Sequence, residues 1–123
     1  MTVVDTSAWI EMLRHNGWPE VRDRVTSLLK AGRVHLVPPV RLELWNGARG
    51  DAEKRGLRQL EQVLPELPVT PEVWDAACDL ARKARAAGLT CPATDILIYA
   101  CANYHGAEVE AVDAHFGELA KLG

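Results

Sequence analysis

Cysteine is scarce in this chain of 123 residues, and its three cysteines are not spaced for pairing or for zinc. Cys78, Cys91 and Cys101 include no Cys-x-x-Cys pair, so the sequence indicates neither a disulfide framework nor a zinc knuckle. This pattern fits a reducing compartment. Cys78 and Cys101 lie within apolar stretches of helical periodicity, and we predict that both fill space in the core.

Long apolar runs are also missing. No segment approaches the roughly 18 apolar residues that a membrane span needs. The segment from Met1 to Asp5 lacks the basic stretch and following apolar stretch of a secretory signal, so we expect a soluble, cytoplasmic protein. With 48% hydrophobic and 25% charged residues, the chain has the composition of one globular domain, which we predict to span residues 1–123.

Positive charge is in short supply, because 14 Lys and Arg residues face 17 Asp and Glu residues, which gives a net charge of -3. Taken alone, this balance argues against a general nucleic-acid binder, whose phosphate contacts come from Lys and Arg. The objection weakens if several of the acids hold metal ions. The basic residues crowd the first half of the chain, and Arg14, Arg41 and Arg49 are among them. Each is explained equally well as part of a solvated helix face.

Short β-branched or apolar runs alternate with helical patterns along the chain. The predicted strands are Thr2–Val4, Val34–Val37, Leu67–Val69 and Glu108–Val112. Helices are predicted over residues 7–14, 19–31, 40–49, 52–63, 71–87, 92–104 and 116–122. This order predicts an α/β fold with a short, mostly parallel sheet of four strands, or five, between two layers of helices.

Two carboxylates close predicted strands, at the edge where open α/β sheets bind ligands. Asp5 follows the first strand and Asp113 follows the last, so the two side chains converge if these strands are neighbours. Asp95 lies near the start of a largely apolar helix. For each residue alone, the favoured alternative is that it caps the following helix or interacts with the helix dipole, as Asp commonly does.

Glu43 stands between Leu42 and Leu44 inside the third predicted helix, where an acid has no capping role. If that face of the helix is buried, the carboxylate needs a cation. An exposed Glu43 is an equally good interpretation when the residue is judged alone.

The order of these residues resembles the PIN-domain family, and most closely its VapC toxin branch, over nearly the whole chain. The matching segments are Val3-Val4-Asp5-Thr6-Ser7-Ala8-Trp9-Ile10, Leu42-Glu43-Leu44 with Gly47 and Arg49, Asp95-Ile96-Leu97-Ile98-Tyr99-Ala100 with Ala102, and Asp113-Ala114-His115-Phe116. Each motif is weak alone, and the set is fairly specific.

The resemblance implies a metal-dependent endoribonuclease in which four acids bind Mg²⁺ or Mn²⁺ and hydrolyse RNA phosphodiester bonds. The matching positions here are Asp5, Glu43, Asp95 and Asp113. The resemblance also gives the hydroxyl of Thr6 or Ser7 a supporting role, and Thr94 could orient a carboxylate. Elementary chemistry agrees, since clustered carboxylates repel one another without cations, and hard oxygen ligands favour Mg²⁺ or Mn²⁺ over zinc.

A VapC-like toxin also implies partners. These are an RNA substrate, a VapB-like antitoxin and a second copy of the chain in a homodimer. The three arginines named above would then contact RNA phosphates. The apolar side chains that could anchor an antitoxin segment, or that could equally be core residues, are Trp9, Met12, Leu13, Trp18 and Trp45. In one departure from the family, the chain ends shortly after Phe116, so we expect a further edge strand to be missing or minimal.

Other functions fit the sequence less well. A haloacid-dehalogenase-type phosphatase needs a second Asp two positions after the first, where this chain has Ser7. A receiver domain needs an acidic pair after the first strand and an Asp after a middle strand, and neither is present. A non-catalytic binding module that kept the fold, and a PIN nuclease that processes RNA, stay open as alternatives.

Overall fold

A computed structural model describes residues 1–14 and 16–122, and within them three strands and seven helices. The strands are β1 (Thr2–Val4), β2 (Val34–His35) and β3 (Glu108–Glu110). The helices are α1 (Thr6–Leu13), α2 (Pro19–Lys30), α3 (Pro38–Gly47), α4 (Gly50–Val63), α5 (Pro71–Ala86), α6 (Ala93–Tyr104) and α7 (His115–Ala120). No helix in the described part of the chain is both long enough and apolar enough to cross a membrane.

The strands form one parallel sheet in the order β2-β1-β3. Thr2 pairs with Val34 on one side of the central strand and with Glu108 on the other. Successive side chains of a strand point to opposite faces, yet Thr2, Val3 and Val4 are all buried. Both faces of β1 are therefore covered, which confirms the predicted α/β fold with a parallel sheet.

The prediction of four strands was wrong for the described residues, because residues 67–69 form no strand. A single parallel bridge joins Leu36 to Glu66, next to β2. In it, Leu36 donates to the carbonyl of Pro65, and Leu67 donates to the carbonyl of Leu36. The next bonds on either side of this bridge would need the backbone N–H of residue 65 and of residue 38, and both residues are prolines, so the ladder does not extend. No strand follows β3 in the part of the chain that the structure describes.

Two other strands are shorter than predicted. β2 stops at His35 because the chain must turn into α3, which begins at Pro38 rather than after the proline pair. β3 ends at Glu110, and the N–H of Val112 donates to the Ser7 hydroxyl instead of to a neighbouring strand. This bond directs the following residues towards the start of α1.

The core lies around the sheet and α6. Trp9 and Ile98 are among the largest fully buried side chains, and six residues of α6 are buried, as its apolar sequence predicts. Cys101 is one of them, which confirms its predicted role. Cys78 is exposed on α5, so the prediction that it fills the core was wrong. The apolar stripe of α5 passes through Ala77 and Leu80 and leaves Cys78 on the outer side.

Candidate metal centre

Asp5 lies where β1 ends, and it also caps α1. Its carboxylate oxygen Oδ2 accepts hydrogen bonds from the backbone N–H of Ser7, at 3.0 Å, and from the Ser7 hydroxyl, at 2.7 Å. The capping role predicted as an alternative is therefore real. The other oxygen, Oδ1, is buried and has no hydrogen-bond partner among the described residues. Capping thus accounts for only one of the two oxygens.

Ser7 and Thr6 bind the ends of different elements together. The Ser7 hydroxyl donates to Asp5 and accepts from the N–H of Val112, at 3.1 Å, which connects α1 with the segment after β3. The Thr6 hydroxyl donates to Oε1 of Glu43, at 2.8 Å, which connects α1 with α3. Both hydroxyls therefore hold acidic side chains in place, while Thr94 is exposed at the start of α6.

Glu43 is half-buried on α3. Burial raises the pKa of its carboxyl group, the hydrogen bond from Thr6 lowers it, and the negative charges of Asp5 and Asp95 raise it further. The mutual effect shows that three of the four predicted acids lie close together although they come from distant parts of the sequence. A cation among them would relieve both the desolvation and the repulsion.

Asp95 and Asp113 lie on either side of His115. Asp95 is buried on α6, with 8% of its surface exposed, and Asp113 is half-buried in the segment after β3. The His115 atom Nδ1 lies 2.9 Å from Oδ2 of Asp95 and 2.8 Å from Oδ1 of Asp113. These three side chains each offer one ligand atom, and the atoms lie within 4.8 Å of one another. They form a group that could hold a metal ion.

The electrostatics of this group are those of crowded acids. Burial raises the pKa of Asp95, the hydrogen bond with His115 lowers it, and the charges of Asp113 and Asp5 raise it. The pKa of His115 is raised, and the largest cause is its hydrogen bond with Asp95. The structure therefore brings all four predicted acids into one electrostatic cluster.

His115 is a residue to which the sequence pattern gave no role. It belongs to the Asp113-Ala114-His115-Phe116 segment, and only the acid was singled out there. The available signal was its spacing. His115 comes two positions after Asp113, in the segment that follows β3, and it begins a short helix, so its side chain can lie at the same end of the sheet as the acid. The N–H of His115 donates to Asp113, which fixes this return.

The three predicted RNA-binding arginines lie in different settings. Arg14 is exposed after α1 and pairs with Glu11 at 3.3 Å. Arg49 is exposed at the start of α4. Arg41 is paired with Glu66 at 2.6 Å and with Glu61 at 3.5 Å, and its charge is therefore partly neutralised within the protein.

The five apolar residues considered as antitoxin anchors divide into three groups. Trp9 is 1% exposed and belongs to the core, so it is unavailable as a surface anchor. Met12 and Trp45 are half-buried and pack against the core. Leu13 and Trp18 are more than half exposed on either side of the α1–α2 connection, at 62% and 56%, and therefore offer apolar surface.

The donor set fits a divalent cation that prefers oxygen ligands and also accepts a nitrogen ligand. Ligand atoms of Asp95, Asp113 and His115 lie together, and one buried oxygen of Asp5 lacks a hydrogen-bond partner in the described chain. The charge of Asp5 acts on both Glu43 and Asp95. Oxygen ligands suit Mg²⁺ and Mn²⁺, and a neutral imidazole suits transition metals. The arrangement could bind metal next to a phosphate group at the carboxyl ends of the strands.

The chain is similar to a known protein family over nearly its whole length. A family model described as the PIN domain matches residues 2–122. Ribonuclease VapC11 of Mycobacterium tuberculosis is 35% identical over 127 residues, which cover 99% of this chain and 93% of that protein. Ribonuclease VapC18 of the same species is 31% identical, over 97% of this chain and 87% of that protein.

A solved structure has the same fold at low sequence identity. VapBC2 from Rickettsia felis, bound to a DNA fragment from its promoter, superimposes with a TM-score of 0.75 at 14% identity. The match covers 95% of this chain and 90% of that one.

Proposed function

The chain belongs to the PIN-domain family as a VapC ribonuclease, the toxin of a VapBC toxin-antitoxin system, and on that premise we propose that it cuts RNA with divalent metal ions held by its four clustered acids. These acids are Asp5, Glu43, Asp95 and Asp113. The proposed ion is Mg²⁺ or Mn²⁺, in keeping with an oxygen-rich donor set.

One observation carries the assignment of these residues. Burial, and after it the negative charges of neighbouring acids, raises the pKa of Glu43 and of Asp95, and an oxygen of Asp5 is buried without a hydrogen-bond partner in the described chain. An uncompensated carboxylate costs free energy when it is buried. A site that keeps this cost in the metal-free protein is best explained by a cation that offsets it when bound.

The protein's own residues prepare the site for the reaction. Ser7 fixes one oxygen of Asp5 and leaves the other free to bind metal, and Thr6 fixes one oxygen of Glu43 in the same way. We assign both hydroxyls the supporting role. Thr94 keeps its proposed role of orienting a carboxylate, from an exposed position at the start of α6. When bound, the ions supply a Lewis acid that polarises the scissile phosphate and offsets its charge.

For substrate binding, the proposal assigns phosphate contacts to Arg14, Arg41 and Arg49. Arg14 and Arg49 are exposed, whereas Arg41 is engaged by two glutamates and must leave them to bind RNA. We therefore expect Arg14 and Arg49 to contribute more. Single-stranded or loop RNA suits such a site, because the scissile phosphate must reach clustered acids at the edge of a sheet.

The proposed protein partners are a VapB-like antitoxin and a second copy of the chain in a homodimer, acting in the cytoplasm as one domain. The structurally similar VapBC2 from Rickettsia felis was solved bound to a DNA fragment from its promoter. In this chain, Leu13 and Trp18 offer exposed apolar surface of the kind that anchors a partner segment.

Metal removal tests the proposal. Pure protein should cleave single-stranded or loop RNA in Mg²⁺ or Mn²⁺, lose this activity in excess EDTA and regain it when either ion is restored. Protein with Asp5→Asn, purified in parallel, controls for contaminating ribonucleases. Cleavage that persists in EDTA would rule out the metal mechanism.

A further inference from the structure

His115 Nδ1 contacts carboxylates from two different elements at nearly equal distances, 2.9 Å to Asp95 and 2.8 Å to Asp113. A ring nitrogen carries at most one hydrogen, which it must share between these two acceptors. The single hydrogen on the nitrogen therefore cannot make a full hydrogen bond to both carboxylate oxygens. A cation satisfies all three atoms at once.

The spacing of these atoms matches the ligands of a small divalent ion. In an octahedral site with bonds of about 2.1 Å, adjacent ligand atoms lie about 3.0 Å apart. Both distances from His115 Nδ1 agree with this value. Oδ1 of Asp5 is buried without a hydrogen-bond partner among the described residues, and the charge of Asp5 acts on Asp95, which is independent evidence that this group of side chains takes a cation.

We infer that His115 Nδ1 is a direct metal ligand and that it makes the centre prefer Mn²⁺ and related transition-metal ions to Mg²⁺. This inference rests on the proposed function and deepens it. Four carboxylates alone provide hard oxygen donors, which both ions accept. An imidazole nitrogen adds a donor that transition metals bind well and that Mg²⁺ disfavours. His115 thus determines metal specificity in a site whose acids do not.

The alternative role for His115 is to orient Asp95 through a hydrogen bond without touching the metal. The two roles differ in what they do to selectivity. A positioning residue supports Mg²⁺ and Mn²⁺ alike, so its loss weakens both. A nitrogen ligand supports mainly Mn²⁺, so its loss removes the preference.

The substitution His115→Asn separates these roles, because the Asn amide reaches the position of Nδ1 and can still donate to a carboxylate. Titration calorimetry on the pure, full-length protein gives the dissociation constants of Mn²⁺ and Mg²⁺. We expect wild type to prefer Mn²⁺, and His115→Asn to reduce this preference by about tenfold, equivalent to about 1.4 kcal/mol. His105→Asn, which changes a histidine that contacts the carbonyl of Pro68, should keep the wild-type ratio.

Pulsed electron paramagnetic resonance of bound Mn²⁺ gives a direct readout that does not depend on activity. Wild type and His105→Asn should show coupling of the ion to one ¹⁴N nucleus, and His115→Asn should lose it. Bound Mn²⁺ without nitrogen coupling in wild type, or an unchanged Mn²⁺/Mg²⁺ ratio in folded His115→Asn, would overturn the inference and leave the four-acid centre intact. Failure of wild type to bind either ion would overturn the proposed function as well.

Discussion

At the scale of single residues, the site depends on short polar side chains that hold acids in fixed positions. Ser7 uses its hydroxyl twice, as a donor to Asp5 and as an acceptor from Val112. Thr6 holds Glu43 in the same manner. Because the acids repel one another, these hydrogen bonds keep the cluster assembled when no cation is bound.

Replacing Ser7 with Ala should weaken both folding and metal binding. Two hydrogen bonds are lost, and the N–H of Val112 is left without its partner, so we expect the free energy of unfolding to fall by about 1–3 kcal/mol. Chemical denaturation measures this loss. Ser27→Ala, in α2 and outside the cluster, is the control. An unchanged unfolding curve for Ser7→Ala would show that this connection is unimportant.

The acids and His115 also predict how stability depends on pH when metal is absent. Folding raises the pKa of Glu43, Asp95 and His115, so the folded state binds protons more tightly than the unfolded state. These groups therefore favour the folded state at low pH, and the benefit is lost as pH rises through their raised values.

We expect the EDTA-treated protein to lose stability as pH rises from the ordinary range of carboxyl groups to above that of histidine. Urea denaturation across this range measures the effect. Asp95→Asn should flatten the dependence at both ends, because the neutral amide does not titrate and the carboxylate that raises the pKa of His115 is gone. A metal-free protein that becomes more stable as pH rises through this window would contradict the account.

At the scale of secondary-structure elements, α6 does most to place the site. It packs against α5 and carries the buried Asp95 in its first turn. Ile98, fully buried one turn later, fixes the helix in the core. The apolar sequence of α6 predicts the burial of this helix, whereas for Asp95 alone it favours a role at the helix terminus.

Truncating the core side of α6 should disturb the site at a distance. Ile98→Ala removes buried methyl groups and should cost about 2–5 kcal/mol of unfolding free energy. Asn103→Ala, on the exposed side of the same helix, should cost far less. Thermal unfolding compares the two variants. Equal stabilities would mean that α6 is held by contacts other than those described.

The sequence predicted the helices well and the strands less well. Prolines mark the starts of α2, α3 and α5, because proline suits the first turn of a helix. Leu67–Val69 reads as a strand from its apolar residues, but Pro65 and Pro38 lack the N–H groups that would extend the pairing beyond the bridge at Glu66. Strand length depends on the pairing partner, which local patterns do not reveal.

Local patterns also predict only some of the residues of the candidate site, because they do not reveal which distant residues come into contact. Asp5 and Asp113 could be anticipated from the ends of their strands, since parallel strands place their carboxyl ends at one edge. Glu43 required the resemblance to a family, because an acid within a helix has many possible neighbours. His115 was missed because its contact with Asp95 joins residues 20 positions apart in the chain.

At the scale of the whole molecule, a net charge of -3 and an RNA substrate are compatible only if the acids bind cations and the basic residues face the nucleic acid. Arg14 and Arg49 are exposed in the first half of the chain. Arg41 instead joins α3 to the segment around Glu66.

Salt dependence of RNA binding tests this division of the arginines. Each phosphate contact to single-stranded nucleic acid contributes about 0.7 to the slope of log K against log salt. Changing Arg14 or Arg49 to Ala should reduce the slope by about this amount, and Arg41→Ala should reduce it less. If the triple variant binds with the wild-type slope, all three arginines belong to solvated surfaces.

The central claim, that the acid cluster is catalytic, is tested most directly by RNA cleavage with Asp5→Asn. Asn remains a good helix cap, so its oxygen can still accept from Ser7, while the free carboxylate oxygen is lost. Melting temperature and antitoxin binding should therefore stay close to wild type, and Asp75→Asn, an exposed change on α5, is the matched control. We expect cleavage and growth inhibition to fall by more than about 100-fold in Asp5→Asn and to be unchanged in Asp75→Asn. A folded Asp5→Asn protein that cleaves RNA as fast as wild type would contradict the account.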